Sequence, residues 1–342
     1  MPRIVPASMK PLFSVQYLRA FAALAVVAFH ACQWSRIPFD IGSAGVDVFF
    51  VISGFIMWRT TSGGEVRPLA FLKKRAIRIA PLYWTVTIGL IVCAMIWPDQ
   101  IRDVEPTPWH VFASLAFIQH LNPQGVPFPI LPVGWTLNYE AVFYLLFAGS
   151  LLVPKGRRAM VLTLLLAGVT FFGFLHPPSY IMLANPLLLE FAAGMWLARF
   201  MEEGMTPGRH AGWMLFVGGL SAFVLMQLMG VEWDLWRPLF WGLPAFMMVA
   251  GLVAVEQSGG LRELPWLRSL GDASYAIYLV HTLAMGAFAV HSGLWDTPVF
   301  APLAFVIGVL SGWLVWKLFE APVLRLLRGE LRPFRKPIHT PV

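Results

Sequence analysis

The residues of this sequence that could do chemistry lie inside or beside apolar runs. Arg19 and His30 are 11 residues apart, which is close to three turns of an α-helix, so both side chains point to one side. The helical rise separates them by about 16 Å. A cation and an imidazole on one helix face predict a polar path across a membrane span. Alternatively, Arg19 extends to the membrane surface and fixes the orientation of the span, and His30 forms a hydrogen bond between helices.

A second candidate is a basic segment before a later apolar run. Arg75 and Arg78 are three residues apart and therefore share one helix face. Two guanidinium groups side by side suit the recognition of phosphate. Ordinary positive charge at a membrane boundary is the alternative. It fits the neighbouring Lys73 and Lys74 better than it fits the two arginines.

Two carboxylates stand near the starts of apolar runs. Asp47 either stabilises a helix N-terminus or orients a histidine such as His30, as acids do for catalytic imidazoles. Glu140 either caps its helix or binds a sugar hydroxyl and acts as a base. Trp135 and Tyr139 close to Glu140 fit an aromatic belt at the membrane interface.

A polar stripe runs along one late segment. Tyr275, Tyr278 and His281 follow one another at intervals of three residues, so they lie along one side of an otherwise apolar helix. With a span starting at 272, His281 is expected about 14 Å from the inner end. Hydrogen bonding between helices is the alternative to a functional role.

Other polar residues receive structural interpretations. Ser53 and Gly54 are small and permit close helix packing. Glu190 lies inside an apolar run, and Glu320 with Pro322 ends the last one. We expect His110, His120 and His176 to lie in loops. The spacing of histidines and acids indicates no metal site, and no phosphate-binding glycine loop is present.

The composition defines the elements that position these residues. Among 342 residues, 58% are hydrophobic and 13% charged, and the mean hydropathy is +0.69. Soluble domains have roughly 45–50% hydrophobic residues and about 25% charged residues. This excludes a soluble enzyme, a disordered chain, a coiled coil and a secreted disulfide scaffold. It also argues against a nucleic-acid partner, although the pI is about 9.7.

Apolar runs near 20 residues long predict an all-α polytopic membrane protein, with about ten transmembrane helices in one bundle. A shorter apolar stretch at 109–121 is expected to be interfacial or re-entrant. The ten predicted runs are 17–34, 42–60, 80–97, 135–153, 159–175, 180–198, 211–230, 236–255, 272–291 and 299–319.

The distribution of lysine and arginine predicts the orientation. With a cytoplasmic N-terminus, 20 of the 25 basic residues fall on the inner side and three on the outer side, as the positive-inside rule requires. Both termini are then cytoplasmic, and the basic surface contacts anionic membrane lipids. We predict one integral-membrane domain over 1–342, with a helical core of about 14–325 and a basic cytoplasmic tail at 326–342.

Taken together, these motifs resemble the acyltransferase-3 family of multi-span membrane acyltransferases. In size and layout the chain is similar to the bacterial exopolysaccharide O-acetyltransferases of the succinoglycan type. The family usually has serine where Thr136 stands. The motifs that carry the resemblance are Tyr17-Leu18-Arg19-Ala20 with His30, Gly45 to Phe55, Arg75-Ala76-Ile77-Arg78 with Pro81 and Tyr83, Trp135-Thr136-Leu137 with Glu140 and Tyr144, Ser274-Tyr275 with Leu279 and His281, and Phe319-Glu320-Ala321-Pro322.

The resemblance implies transfer of an acyl group, usually acetyl, from cytoplasmic acetyl-CoA to a carbohydrate hydroxyl. The acceptor would be an exopolysaccharide or another cell-surface carbohydrate, either free or lipid-linked, and the location the bacterial inner membrane. Other proteins of polysaccharide biosynthesis are candidate partners. No metal is implied.

The resemblance also implies roles for the candidate residues. Arg75 and Arg78, with Arg19, would hold the phosphates of CoA. His30 would deprotonate the acceptor hydroxyl or carry the acyl group, and Asp47 or Glu140 would orient it. The stripe of Tyr275, Tyr278 and His281 would line the tunnel for the acyl-pantetheine arm.

Two other classes fit some of these features. A proton-coupled transporter or a flippase of a lipid-linked substrate would also place histidine, arginine and glutamate inside the membrane. It predicts inverted repeats and paired broken helices, and neither is visible in the sequence. A non-catalytic membrane scaffold gives no reason for two inner arginines aligned with a histidine.

Overall fold

The computed structural model describes residues 12–101, 104–175, 185–230, 237–294 and 297–329. This part of the chain is helical and contains no strand, so the predicted all-α class is confirmed. His176 and the tail from residue 330 onward lie outside the described residues. The first six helices are α1 Phe13–Trp34, α2 Gly45–Thr61, α3 Pro68–Ile96, α4 Pro108–Leu115, α5 Trp135–Ser150 and α6 Lys155–Leu175.

The second half of the chain continues in the same way. A π-helical turn, Pro238–Gly242, leads into α9, and another, Trp316–Glu320, joins α11 to α12. Side chains are re-aimed at such turns, because one extra residue is inserted into the helix. The helices are α7 Leu188–Glu202, α8 Arg209–Met229, α9 Leu243–Gln257, α10 Pro265–Ser292, α11 Phe300–Val315 and α12 Ala321–Leu327.

Eight helical segments of the described residues are long and apolar enough to cross a membrane. The two predicted runs missing from this set correspond to α5 and α7, which have 16 and 15 residues. Such helices extend only about 22–24 Å at 1.5 Å per residue, less than the roughly 30 Å hydrocarbon core. The multi-span membrane fold is therefore confirmed, whereas the count of ten spans is not.

The start of α1 is fixed by a side chain from a distant helix. The backbone N–H groups of Phe13 and Ser14 each donate a 2.8 Å hydrogen bond to the carboxylate of Glu256, and the Ser14 hydroxyl donates a third. The first N–H groups of a helix have no partner within the helix. A carboxylate also complements the positive end of the helix dipole. Glu256 thus ties the first helix to the end of α9.

Tyr17 fixes α1 against the start of α10. Its hydroxyl donates to the backbone oxygen of Arg262 at 2.7 Å and accepts from the N–H of Leu264 at 2.6 Å. The two helices also approach closely, since a methyl group at Gly271 would lie 2.2 Å from the backbone oxygen of Gln16. These contacts set the register of α1 along α10, and both helices carry candidate site residues.

Helices α2 and α7 cross at two glycines. A methyl group at Gly54 would lie 1.9 Å from the carbonyl oxygen of Phe191, and one at Gly194 would lie 1.9 Å from that of Val51. Backbones come this close only where one of the two contacting residues is a glycine without a Cβ. The expected packing role of Gly54 is therefore confirmed.

We predict that Gly54→Ala or Gly194→Ala forces α2 and α7 apart and costs about 1–3 kcal/mol of stability through overpacking. The measurement is the thermal unfolding midpoint and the monodisperse yield in detergent. Gly168→Ala in α6 is the matched control, because a methyl group there meets nothing within 4 Å. Equal losses in the control and in the crossing variants would contradict the packing argument.

Two of the histidines predicted to lie in loops, His110 and His120, form a buried pair. His110 lies on the short helix α4, so its prediction as a loop residue is wrong, while His120 follows in the connection to α5. Nδ1 of His110 is 2.6 Å from Nε2 of His120, and Nδ1 of His120 is 2.8 Å from the backbone oxygen of Ile118. Burial, and after it the neighbouring His120, lower the pKa of His110, while Glu105 opposes this.

We predict that this pair makes the protein less stable in acid. In the unfolded chain, His110 takes up a proton near its ordinary pKa of about 6.5, whereas the folded state resists that proton. The unfolded state therefore binds more protons, and stability falls as the pH drops below about 6.5. The unfolding midpoint of the wild type should fall more between about pH 7 and about pH 5 than that of His110→Gln. Parallel decreases in the two proteins would refute this.

Candidate active site

A cavity of about 300 Å³ lies between α1, α2, α3, α5 and α10. It brings together residues that are far apart in the sequence, and side chains of both charge signs face it. The predicted site residues that line it are Arg19, Glu140, Arg75, Arg78, Tyr275 and Tyr278. The remaining three, His30, His281 and Asp47, lie elsewhere in the bundle.

Arg78 is neutralised by a carboxylate from the end of the π-helical turn. Its guanidinium forms a salt bridge with Glu320, whose side chain is 3% exposed. The guanidinium also lies over the ring of Tyr275, 5.1 Å from the ring centroid. Glu320, interpreted from the sequence as structural, thus directly contacts a candidate phosphate-binding arginine. No pattern in the sequence indicated the π-helical turn that directs Glu320 toward Arg78.

Arg75 and Arg19 have fewer protein partners. The guanidinium of Arg75 lies 5.7 Å from the Phe71 ring centroid, and its buried Nε has no hydrogen-bond partner among the described residues. Arg19 has one long contact, 3.4 Å to the amide oxygen of Gln16. Buried donors are nearly always satisfied. The structure therefore distinguishes the two arginines of α3: Arg78 is paired, while Arg75 still has a donor for an anion.

Glu140 faces the cavity from α5. The hydroxyl of Ser53 donates to its carboxylate at 3.1 Å, and the hydroxyl of Tyr144 donates to the same oxygen. Its hydrogen-bond partners in the described part of the chain do not include His30. The expectation that Glu140 orients His30 is thus not met, because α5 places the carboxylate in the arginine-lined cavity. Ser53 was assigned only a packing role from the sequence, and the structure adds this hydrogen bond.

The two tyrosines of α10 have fixed hydroxyl groups. Tyr275 donates to the backbone oxygen of Ile79 at 2.6 Å. The hydroxyl of Tyr278 donates to the backbone oxygen of Val133 at 3.0 Å and accepts from Thr136 at 3.0 Å. The Tyr278 ring also lies 6.1 Å from that of His281, centroid to centroid. Tyr278 therefore lines the cavity and also contacts the ring of His281.

His30 and His281 form a pair on the facing sides of α1 and α10. Nε2 of His281 is 3.1 Å from Nδ1 of His30, and His281 is fully buried. The helix α10 begins at Pro265, seven residues before the predicted run, so His281 is about 24 Å from the helix start rather than about 14 Å. His281 contacts His30 instead of lining the cavity.

Asp47 belongs to a separate buried ion pair. Its carboxylate accepts hydrogen bonds from Arg237 at 2.8 and 3.1 Å, and its side chain is fully buried. The guanidinium lies 4.4 Å from the Trp241 ring centroid. The expected contact of Asp47 with His30 is thus replaced by an ion pair with Arg237, a residue that sequence reasoning missed.

The described residues contain no group of three or more histidine, cysteine, aspartate or glutamate side chains that could hold a metal ion. The groups suited to a ligand are the arginines and hydroxyls of the cavity. Arginine binds phosphate through charge-assisted hydrogen bonds. The arrangement can therefore hold an anionic, partly apolar molecule with one end near the histidine pair.

The fold and the site define a class: a membrane protein whose interior cavity is lined by arginines and by Tyr278, the ring of which contacts one histidine of a pair. Comparisons with known proteins identify the family. The family described as "Acyltransferase domain" matches residues 12–317. The chain belongs to this acyltransferase-3 family, which confirms the resemblance seen in the motifs. No solved structure matches the chain.

Characterised relatives share most of the chain. The exopolysaccharide production protein ExoZ of Rhizobium meliloti is 39% identical over 317 residues, 89% of this chain and 96% of that protein. The acyltransferase MdmB of Streptomyces mycarofaciens is 26% identical, over 96% of this chain and 95% of its own length. The peptidoglycan O-acetyltransferase OatA of Listeria monocytogenes is 22% identical, and 57% of its length is covered.

The protein is therefore a multi-pass membrane acyltransferase of an O-acetyltransferase family that includes proteins of exopolysaccharide and peptidoglycan modification. The transporter and scaffold alternatives are not favoured, because the family match covers nearly the whole helical core.

We predict that Asp47 supports the fold through Arg237. Asp47→Leu leaves a buried guanidinium without its partner, which costs about 3–5 kcal/mol. The double variant Asp47→Leu/Arg237→Met removes both charges and should recover most of the thermal stability and folded yield in detergent. If the double variant is as unstable as the single one, the ion pair is not the reason that Asp47 is needed.

Proposed function

We propose that this protein transfers an acetyl group from cytoplasmic acetyl-CoA to a hydroxyl of an exopolysaccharide or another cell-surface carbohydrate, with both termini in the cytoplasm of a bacterial cell and the bundle in its inner membrane. The observation that carries the proposal is the arginine-lined cavity, in which the buried Nε of Arg75 has no hydrogen-bond partner in the described part of the chain. The relatives ExoZ, a protein of exopolysaccharide production, and OatA, a peptidoglycan O-acetyltransferase, support the acceptor class.

The phosphates of the donor would bind Arg75 and Arg19, with Arg78 held in place by Glu320. Among the described residues, Arg75 keeps one buried donor without a partner, and the hydrogen bond of Arg19 to Gln16 is long. A phosphate group can therefore accept the hydrogen bonds that the protein leaves unmade. The apolar part of the cavity, which includes Ile52 and Leu137, suits the pantetheine arm. Tyr278 would lie along the route from this cavity to the histidine pair.

His30 would be the group that activates the acceptor. The acceptor hydroxyl gives its proton to the imidazole as the oxygen attacks the thioester carbonyl carbon. The carbon–sulfur bond then breaks, and the sulfur takes the proton, which leaves an ester and free CoA thiol. In the covalent alternative, the imidazole first takes the acyl group and CoA leaves before the acceptor attacks.

The test is turnover of radiolabelled acetyl-CoA by purified protein in nanodiscs, with carbohydrate acceptors added. We expect release of CoA by the wild type and none by His30→Ala. Label that stays on the wild-type protein in the absence of acceptor identifies the covalent route. A wild type that neither binds nor consumes acetyl-CoA with any acceptor would overturn the donor assignment.

We predict that Arg75→Gln weakens acetyl-CoA binding about 10–100-fold, because a charge-assisted hydrogen bond contributes about 1.5–3 kcal/mol. The measurement is the dissociation constant by calorimetry. Lys74→Gln is the matched control, since it removes the same charge from an exposed side chain of the same helix. If both substitutions weaken binding equally, a general effect of positive charge explains it and the cavity does not.

A further inference from the structure

The hydrogen bonds around the histidine pair fix where every ring proton lies. Nδ1 of His281 is 3.0 Å from the backbone oxygen of Ile277, and Nδ1 of His30 is 3.0 Å from that of Val26. A carbonyl oxygen only accepts hydrogen bonds. Each Nδ1 must therefore carry a hydrogen and donate it to the carbonyl of the preceding helical turn.

The contact between the rings agrees with this assignment. A neutral imidazole with a hydrogen on Nδ1 has a lone pair on Nε2. Nε2 of His281 therefore accepts from Nδ1–H of His30 at 3.1 Å, and that hydrogen is shared with the Val26 oxygen. The opposite tautomers would direct ring lone pairs at both carbonyl oxygens, and such losses are costly at the fully buried His281 and the partly buried His30.

We infer that His281 is a positioning residue, which fixes His30 as the Nδ1–H tautomer and leaves Nε2 of His30 as the base. Of the four ring nitrogens, two donate to carbonyls and one accepts within the pair, while Nε2 of His30 has no hydrogen-bond partner among the described residues. This inference rests on the proposed function for its catalytic meaning, although the tautomer itself does not depend on that function.

The pair also selects the site that takes up a proton. A proton arriving at Nε2 of His30 leaves every hydrogen bond of the pair intact. A proton arriving at Nε2 of His281 would instead set two N–H groups against each other across 3.1 Å. The acceptor's proton therefore goes to His30. This role differs from that of a tunnel-lining residue, because it acts through the other histidine rather than through contact with the acyl chain.

The direct test is ¹⁵N NMR of the full-length protein with labelled histidine, using His30→Gln and His281→Gln to assign the signals. We expect wild-type His30 to carry its proton on Nδ1 and to have a bare Nε2. His291 is an internal reference, since its Nδ1 is 2.7 Å from the oxygen of Ala287 on the same helix as His281. A wild-type His30 protonated on Nε2 overturns the inference, whatever the activity.

Kinetics test the positioning role with two variants of similar length. His281→Gln keeps an acceptor at the position of Nε2, whereas His281→Met does not. We expect His281→Met to lower kcat about 100-fold with an unchanged KM for acetyl-CoA, and His281→Gln to restore most of the rate, since a positioned base contributes about 10²–10⁴-fold. The exposed control His291→Gln should behave as the wild type.

The outcomes separate this inference from the proposed function. Full activity of His281→Met, or equal loss in both His281 variants while both remain folded, overturns the positioning role. If His281→Met does not fold, the NMR measurement of the His30 tautomer in the wild type still tests the inference. A wild type with the expected tautomer that transfers no acyl group would refute the proposed function and leave the assignment of the pair standing.

Discussion

The cost of placing charge inside an apolar bundle is the constraint on which the rest of this structure depends. An ionisable side chain at membrane depth costs at least about 2.5–3.5 kcal/mol, so it needs a partner from another helix or from a ligand. Arg78 has Glu320, and Arg237 has Asp47. Arg75 keeps a buried donor with no partner among the described residues. The site is thus defined by the position where protein pairing is incomplete.

The alignment of α1 with α10 decides whether the site exists at all. Tyr17 and Gly271 fix the two helices near their starts, and the same register brings His30 to His281 about 15–20 Å further along. Between these points the helices expose Arg19 and Tyr275 to the cavity. A shift by one helical turn would separate the histidines by about 5 Å more, so the contacts at the helix starts also hold the chemistry in place.

The sequence predicted what is encoded within single helices. Spacing identified Arg75 with Arg78, and Arg19 with His30, because a helix repeats every 3.6 residues. It could not predict pairs between helices, since no local pattern shows that Glu320 reaches Arg78, or Arg237 reaches Asp47, across about 240 and 190 residues. The roles of Asp47 and His281 were therefore assigned to the wrong neighbours. The short helices α5 and α7 were predicted as full spans because hydropathy does not show where within an apolar run the helix begins or ends.

The cap on α1 has a consequence for how the protein is made. The carboxylate that satisfies Phe13 and Ser14 belongs to a residue 242 or 243 positions later, and the partner of His30 is 251 positions away. At roughly 5–20 residues per second, the ribosome needs about 12–50 s to supply them. During that time the N-terminal end of the first helix has no cap, and His30 has no partner. Its final position can be reached only after α9 and α10 have been inserted, so the first segment synthesised is among the last to be completed.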